Sequence, residues 1–453
     1  MDQKYQIGWD ARWEGRRVSP DEVPTFRTAS RKPDGILMYI LKTMQSDVKP
    51  HARLRGPTSC GKTTLARNIG IDVANANYLH SNGILDSYNH TRTELLQMLT
   101  SQNETVPHII QKARDTPELE YSMDGTYIGE VFRDLVELER GEPIDSVPFF
   151  QIDLSKIEAP VQIIGNPEDT GEKTEFNRGN LPLVLEASKE GPVVLYLDEV
   201  NRAPQSVKGP LFEALDDRGA IRLRGTGSDR ERVVGEPRNL ITVSAMNQGP
   251  GHITEPMDQA DKRRLGASWK LSYAGFNPDS EQNAIDPEVE ILVNRTQINR
   301  ACASELVRTA NRIRSMANNQ DNTDVNATVP TSSLLQWATL ARVHQTHDSP
   351  FVKAAENAIL NQLYDRPGQR AAREAIRAEI RTSLSPLSYN EEPNNRTFEE
   401  DHFVCQRCNM SVPQQDVTEY YDENESKMIM DSLKCPECAE QGEQGRIASV
   451  HPE

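Results

Sequence analysis

The run Gly56-Pro57-Thr58-Ser59-Cys60-Gly61-Lys62-Thr63, followed by Thr64, has the residue types and spacing of a phosphate-binding loop, Gly-x4-Gly-Lys-Thr. The chemistry asks for each part. Glycines let backbone N–H groups curl round the β- and γ-phosphates, Lys62 sets a point charge on the terminal phosphates, and the Thr63 hydroxyl completes a Mg²⁺ shell. Cys60 occupies a loop position that tolerates many side chains, and a thiol there is also a candidate redox switch. The complementary half is Val193-Val194-Leu195-Tyr196-Leu197-Asp198-Glu199, an apolar run that ends in two carboxylates. Asp198 would hold the Mg²⁺. Glu199, one residue on, would polarise an attacking water, because phosphoryl transfer needs an aligned nucleophile and charge neutralisation more than covalent help. An acidic pair at a strand end is more often a cap or a solvated turn, and it is the complete loop upstream that gives this pair a chemical reading.

A second set of candidate ligands lies near the other end. Cys405-Gln406-Arg407-Cys408 and Cys435-Pro436-Glu437-Cys438 form two knuckles separated by 26 residues, able together to offer four thiolates in a tetrahedral array. Zn²⁺ is the expected ion, holding together a tail of about 50 residues that has little core of its own. Its acidic neighbours, Asp416, Glu419, Asp422, Glu423 and Glu425, favour a protein contact over nonspecific DNA binding.

These residues need elements to carry them. Apolar patterning predicts a helix opening near Asp34, a strand over 51–55 leading into the loop and a helix from about Lys62. It then predicts a strand over 149–154, a helix over 181–190 and a doubly buried strand over 193–197. Strand and helix alternate, so the expected fold class is α/β with a mostly parallel sheet. Strands over 221–224 and 231–234 flank Gly225-Thr226-Gly227-Ser228 as a hairpin, and 240–245 forms another. Beyond 279 the pattern is helical, over 303–316, 333–344, 354–364 and 371–384. The expected organisation is an N-terminal arm (1–33), an α/β domain (34–278) with a polar insertion at about 71–147, and a helical lid (279–387). A linker (388–400) and the cysteine module (401–453) follow.

Composition narrows the classes. The 453 residues carry 68 acidic and 51 basic side chains, a formal charge of −17, which argues against a protein whose main business is coating nucleic acid. No apolar run approaches the roughly 18 residues of a membrane span and the N-terminus lacks an apolar leader, so the expected location is cytoplasmic, away from membranes. With four of six cysteines in paired knuckles, a reducing compartment suits the metal reading better than a disulfide framework.

The run Asp198-Glu199-Val200-Asn201-Arg202-Ala203-Pro204, continued by Leu211-Phe212-Glu213-Ala214-Leu215-Asp216-Asp217-Arg218, resembles the MoxR-type AAA+ ATPases, in particular the branch of CbbQ, NorQ and CobS. The resemblance covers about 34–364 outside the insertion. It implies an AAA+ P-loop core with a helix-2 insert at 165–179, a hairpin at 221–234, and a polar sensor at Asn247, which the residues alone would equally read as a strand-end turn. It further implies an arginine finger within Met257-Asp258-Gln259-Ala260-Asp261-Lys262-Arg263-Arg264-Leu265, with Arg264 matching best and Arg263 second. Read without the family, that basic pair is a surface salt-bridge cluster. A finger acting in trans implies a homo-oligomeric ring, most often a hexamer. ATP hydrolysis would be coupled to remodelling of a protein partner, commonly one with a von Willebrand factor A domain. In one place the chain departs from the branch: Thr331-Ser332-Ser333-Leu334-Leu335 stands where a Ser-x-Arg second sensor would open a lid helix. Arg222, Arg224, Arg230 and Arg232 on the hairpin could line a pore. The rival readings are a nucleic-acid motor similar to the nucleotide-binding subunit of the McrBC system, and an ATP-gated scaffold with slow hydrolysis.

Overall fold

The computed structural model describes residues 11–23, 32–85, 92–100, 106–117, 119, 121, 126–169, 174–223, 232–248, 258–277, 283–318, 328–363, 370–385 and 387, together with short strands at 402–405, 411–413 and 447–448. In chain order the α/β part runs through α1 (Lys32–Met44), β1 (His51–Gly56), α2 (Lys62–Ser81), α3 (Arg92–Thr100), α4 (His108–Arg114) and α5 (Ile128–Arg140). It continues through β2 (Phe149–Asp153), α6 (Val161–Ile164), a hairpin of β3 (Gly165–Asp169) and β4 (Thr174–Arg178), α7 (Asn180–Glu190), β5 (Val193–Asp198) and α8 (Gln205–Leu215). A second hairpin of β6 (Ala220–Arg222) and β7 (Arg232–Val234) precedes β8 (Leu240–Asn247), α9 (Gln259–Arg264) and β9 (Ala267–Lys270).

Five of these strands form one parallel sheet in the order β2-β5-β8-β1-β9. Its centre is apolar on both faces, as an unbroken run such as Val193 to Leu197 requires when helices cover each side. On one face lie α1, α2 and the helices of the expected insertion; on the other lie α7 and α8. The sheet carries one strand, β9, that the apolar pattern does not announce, because Ala-Ser-Trp-Lys has neither alternation nor an aliphatic run.

The polar stretch at 71–147 is packed into the first core. Helix α2 continues unbroken to Ser81, and Leu95, Leu96, Leu99, Ile109, Ile110, Val131, Phe132 and Leu135 from α3, α4 and α5 join the cluster built by α1 and α2. A buried polar knot ties the two together: Arg133 bonds Asp72 through Nε at 2.7 Å and Nη2 at 2.6 Å, and the Tyr127 hydroxyl donates to the other Asp72 oxygen at 2.8 Å. Burial pushes the Asp72 carboxyl up, and Arg133 and Tyr127 oppose that shift.

The arm is docked as well. A 3-10 turn, Ala11–Arg16, buries Trp13 edge-on against Phe150 of the edge strand β2, with ring centroids 5.9 Å apart, and its indole N–H donates to Glu190 at 2.9 Å.

Helices α10 (Asp286–Thr296), α11 (Arg300–Asn318), α12 (Thr331–Val343), α13 (Pro350–Ala358) and α14 (Arg370–Leu384) enclose a separate core around Leu306, Leu334, Trp337 and Phe351. At its edge Glu288 and Arg314, both fully buried, form a bidentate pair at 2.6 and 2.9 Å. The same guanidinium donates to the Val329 carbonyl at 2.8 Å and stacks over Tyr273 at 3.8 Å, so this pair fixes the segment leading into α12 against the α/β part. Near the C-terminus β10 (His402–Cys405) pairs antiparallel with β11 (Ser411–Pro413) and β12 (Ile447–Ala448). Cys405 ends β10, while Cys408, Cys435 and Cys438 lie outside the described residues. Among the described residues no helix is long and apolar enough to cross a membrane.

Candidate functional site

The loop Gly56 to Thr63 joins β1 to α2 at the carboxyl edge of the sheet, where open parallel sheets bind ligands. Two glycines are there by necessity. A Cβ on Gly56 would stand 2.7 Å from the Leu271 carbonyl oxygen and 3.0 Å from the Cys60 sulfur, and Gly61 takes φ 88° at the mouth of α2, a left-handed turn that side chains disfavour. The 20-residue α2 thus directs its positive end into the loop. Lys62, only 6% exposed, donates to the Pro57 carbonyl at 2.7 Å and to Asn247 Oδ1 at 2.8 Å. Burial pushes the Cys60 thiol up, with Lys62 opposing, which disfavours the thiolate a redox switch needs.

Asn247 reaches Lys62 because β8 lies beside β1 with Asn247 opposite Gly56. Its amide nitrogen donates to Glu199 Oε1 at 2.8 Å, and Arg202 Nε closes on Glu199 Oε2 at 2.6 Å. Lys62, Asn247, Glu199 and Arg202 therefore form one continuous chain of polar contacts across the ends of β1, β8 and β5. Glu199 sits in the left-handed region at φ 50°, and its N–H donates to Asp198 Oδ1 at 3.0 Å. Burial pushes the Asp198 carboxyl up, with that N–H and the Lys62 charge opposing the shift.

Thr63 Oγ1 lies 3.0 Å from the hydroxyl of Tyr196, a fully buried residue of β5 two positions before Asp198 and on the same strand face. Burial and the nearby Asp198 charge push the Tyr196 phenol well up. A threonine hydroxyl and a carboxylate, both hard oxygen donors, thus stand at the same carboxyl edge of the sheet, beside the loop Gly56 to Thr63. Such a set fits a Mg²⁺ that keeps most of its shell from water and phosphate oxygens. Among the described residues no group of three or more His, Cys, Asp and Glu forms a metal cluster.

The basic pair is placed differently. Asp258 caps α9 by accepting from the Asp261 N–H at 2.7 Å, and Arg264 near its other end bonds Asp216 of the α8 terminus at 2.8 Å, lying 5.6 Å from the Phe212 ring centroid. Arg263 is exposed. Within one chain, then, Arg264 is engaged by Asp216 rather than by the chain of contacts from Lys62 to Glu199. Its carbonyl accepts from His51 Nδ1 at 2.9 Å; burial holds that ring down to about pH 4, so it is neutral and Nδ1 carries the donated proton.

Where a second-sensor arginine would stand, the Ser332 hydroxyl donates to Ser59 of the phosphate loop at 2.9 Å, and Thr331 donates to Glu288 at 2.6 Å. The first turn of α12 therefore touches the loop through hydroxyls. Arg222 and Arg232 stand opposite each other on the β6–β7 hairpin, both exposed; Arg224, Arg230 and Met257 lie outside the described residues. Sequence reasoning missed Tyr196, Asp216 and the Glu288–Arg314 pair. Only Tyr196 left a signal, a hydroxyl inside an otherwise aliphatic strand in phase with Asp198.

The family model "CbbQ/NirQ/NorQ C-terminal" matches residues 288–380, which spans most of α10 to α14. No curated protein sequence matches the chain. Among solved structures, the Thermotoga maritima RuvB Holliday junction branch migration motor aligns at 14% identity and TM-score 0.34, covering 76% of this chain and 72% of that one. NtrX from Brucella abortus in complex with ADP aligns at 12% identity and TM-score 0.36, covering 78% and 60%. Those scores are too low to carry an argument. Over residues 288–380 the chain is thus similar to the CbbQ/NirQ/NorQ C-terminal family, and that helical region follows a five-stranded parallel sheet with the loop Gly56 to Thr63 on its interior strand β1.

Proposed function

We propose that this protein binds ATP with Mg²⁺ at the loop Gly56 to Thr64, hydrolyses it to ADP and phosphate, and couples the cycle to remodelling of a protein partner. The observation that carries the reading is the unbroken chain from Lys62 through Asn247 to Glu199, which sets a phosphate-binding cation and a candidate base at the two ends of one amide. Backbone N–H groups of Pro57's successors, Thr58 to Gly61, would cradle the phosphates, with Lys62 on the terminal ones. Thr63 and Asp198 would hold Mg²⁺, which when bound neutralises charge on the phosphate oxygens. Glu199 would accept the proton of the attacking water, and Asn247 would orient that water or the γ-phosphate. Arg264, with Arg263 second, would reach the phosphate of a neighbouring subunit, exchanging its Asp216 partner for the transition-state charge. That arrangement calls for a homo-oligomeric ring, by family precedent a hexamer.

Protein is favoured over nucleic acid as the client because the chain is acidic overall, −17, and the sequence between the two cysteine knuckles is rich in Asp and Glu. A partner with a von Willebrand factor A domain follows from the family resemblance, and a cytoplasmic setting from the apolar patterning and the paired cysteines of the sequence. A structural Zn²⁺ on Cys405, Cys408, Cys435 and Cys438 is supported by the spacing of the two knuckles. Phosphate release measured at low and high salt, with and without single- and double-stranded DNA, tests the client class. The expected result is turnover indifferent to DNA. A several-fold stimulation with steep salt dependence would instead favour the nucleic-acid motor.

A further inference from the structure

Tyr196 is an anomaly in its strand. Its neighbours Val194, Leu195 and Leu197 are aliphatic, yet a phenol is fully buried among them with its hydroxyl at the carboxyl edge of the sheet. The ring needs no hydroxyl to pack, since it stacks on Phe149 with centroids 6.2 Å apart. The hydroxyl meets Thr63 Oγ1 at 3.0 Å on one side, and the Asp198 carboxylate stands two positions on along the same strand face, near enough for its charge to act on the phenol. It therefore lies between the two side chains that would offer oxygen to a cation, bonded to Thr63 and in phase with Asp198.

A phenol has one proton to give. A carboxylate oxygen is a stronger acceptor than a hydroxyl, so a Tyr196 proton turned toward Asp198 leaves the Tyr196 oxygen to accept from Thr63. The order Thr63→Tyr196→Asp198 follows, each bond polarising the next in a site shielded from water. With its proton committed to Tyr196, Thr63 presents only lone pairs to whatever lies in front of the loop. Without the phenol oxygen, the Thr63 proton is free to rotate toward the cation and repel it.

We propose that Tyr196 is a positioning residue for the Mg²⁺ end of the site, holding the Thr63 hydroxyl in its acceptor orientation through a relay to Asp198. This deepens the ATP reading above and rests on it. The test is Tyr196→Phe in the full chain, which keeps the ring and its stacking and removes one oxygen. Binding of a fluorescent, non-hydrolysable ATP analogue is titrated with Mg²⁺, and again in EDTA, alongside thermal unfolding. The expected result is a Mg²⁺ half-saturation raised about three- to tenfold, the loss of one hydrogen bond's worth of orientation, with affinity in EDTA unchanged and a cooperative unfolding transition retained. In a Thr63→Ala background the same substitution should add almost nothing, because its effect travels through Thr63. An unchanged Mg²⁺ titration, an equal loss in EDTA, or full additivity with Thr63→Ala would overturn the proposal. Wild-type protein that binds the analogue no better with Mg²⁺ than without would remove the nucleotide reading itself, an outcome visible before any variant is compared.

Discussion

Asn247 spends both ends of its amide on the site, accepting from Lys62 and donating to Glu199, so its loss should be felt in turnover more than in affinity. Asn247→Ala is expected to lower kcat for ATP about 100-fold, the scale of removing one preorganised donor, while KM moves far less; steady-state kinetics at saturating and limiting ATP separate the two. The loop and the Asp198–Glu199 pair could be found in the sequence because their chemistry is written in contiguous residues at fixed spacing. Tyr196 shows in the sequence only its phase with Asp198, because its contact with Thr63 spans 133 positions and forms only when β5 and α2 pack. Glu288 and Arg314, 26 positions apart on different helices, meet only because α10 and α11 pack, and nothing in a one-dimensional pattern distinguishes them from surface charges.

At the level of elements, the turn from α9 to β9 is held to β1 by one neutral imidazole. His51 has an ordinary pKa near 6.5 when unfolded and about 4 when buried, so the folded state binds its proton less readily. The contribution is therefore complete above pH 6.5 and is lost as pH falls toward 4, by about 3 kcal/mol. Stability measured against pH for wild type and His51→Gln should converge across that window, the wild type losing more on acidification; parallel curves would contradict the assignment. The lid junction depends on a buried ion pair. Glu288→Gln strips Arg314 of its counter-charge and should cost about 3–5 kcal/mol in denaturant unfolding, and it should also loosen Thr331 and hence the contact of Ser332 with the phosphate loop. The alternating pattern and doubly buried strands made the α/β class readable from sequence, and the amphipathic periods found most of the helices. What could not be read was how the polar stretch at 71–147 folds back onto α2, since its apolar positions are short and interrupted and the Asp72–Arg133–Tyr127 knot that joins it is tertiary.

For the whole molecule, the position of Arg264 is the consequential feature. In a single chain it pairs with Asp216 at the end of α8, and the role proposed for it in hydrolysis would be played toward a second copy. Arg264→Ala and Lys62→Ala proteins should each bind or turn over poorly in their own way, the first keeping nucleotide and losing phosphate release, the second losing nucleotide. Mixing them should restore part of the activity, because a finger from one can serve the loop of the other; mixtures no more active than their parts would refute action in trans. The cysteine module predicts one equivalent of Zn²⁺ per chain by metal analysis, lost on replacing Cys435 with Ser.

The central claim is that Glu199 turns a nucleotide bound at the Lys62 loop into ADP and phosphate. Steady-state phosphate release by wild type and Glu199→Gln, each paired with nucleotide binding, addresses it most directly. The account predicts saturable, Mg²⁺-dependent release by the wild type, and a variant that binds ATP as tightly while releasing phosphate at least about 100-fold more slowly. Equal release from the two proteins, or no nucleotide binding by either, would contradict it.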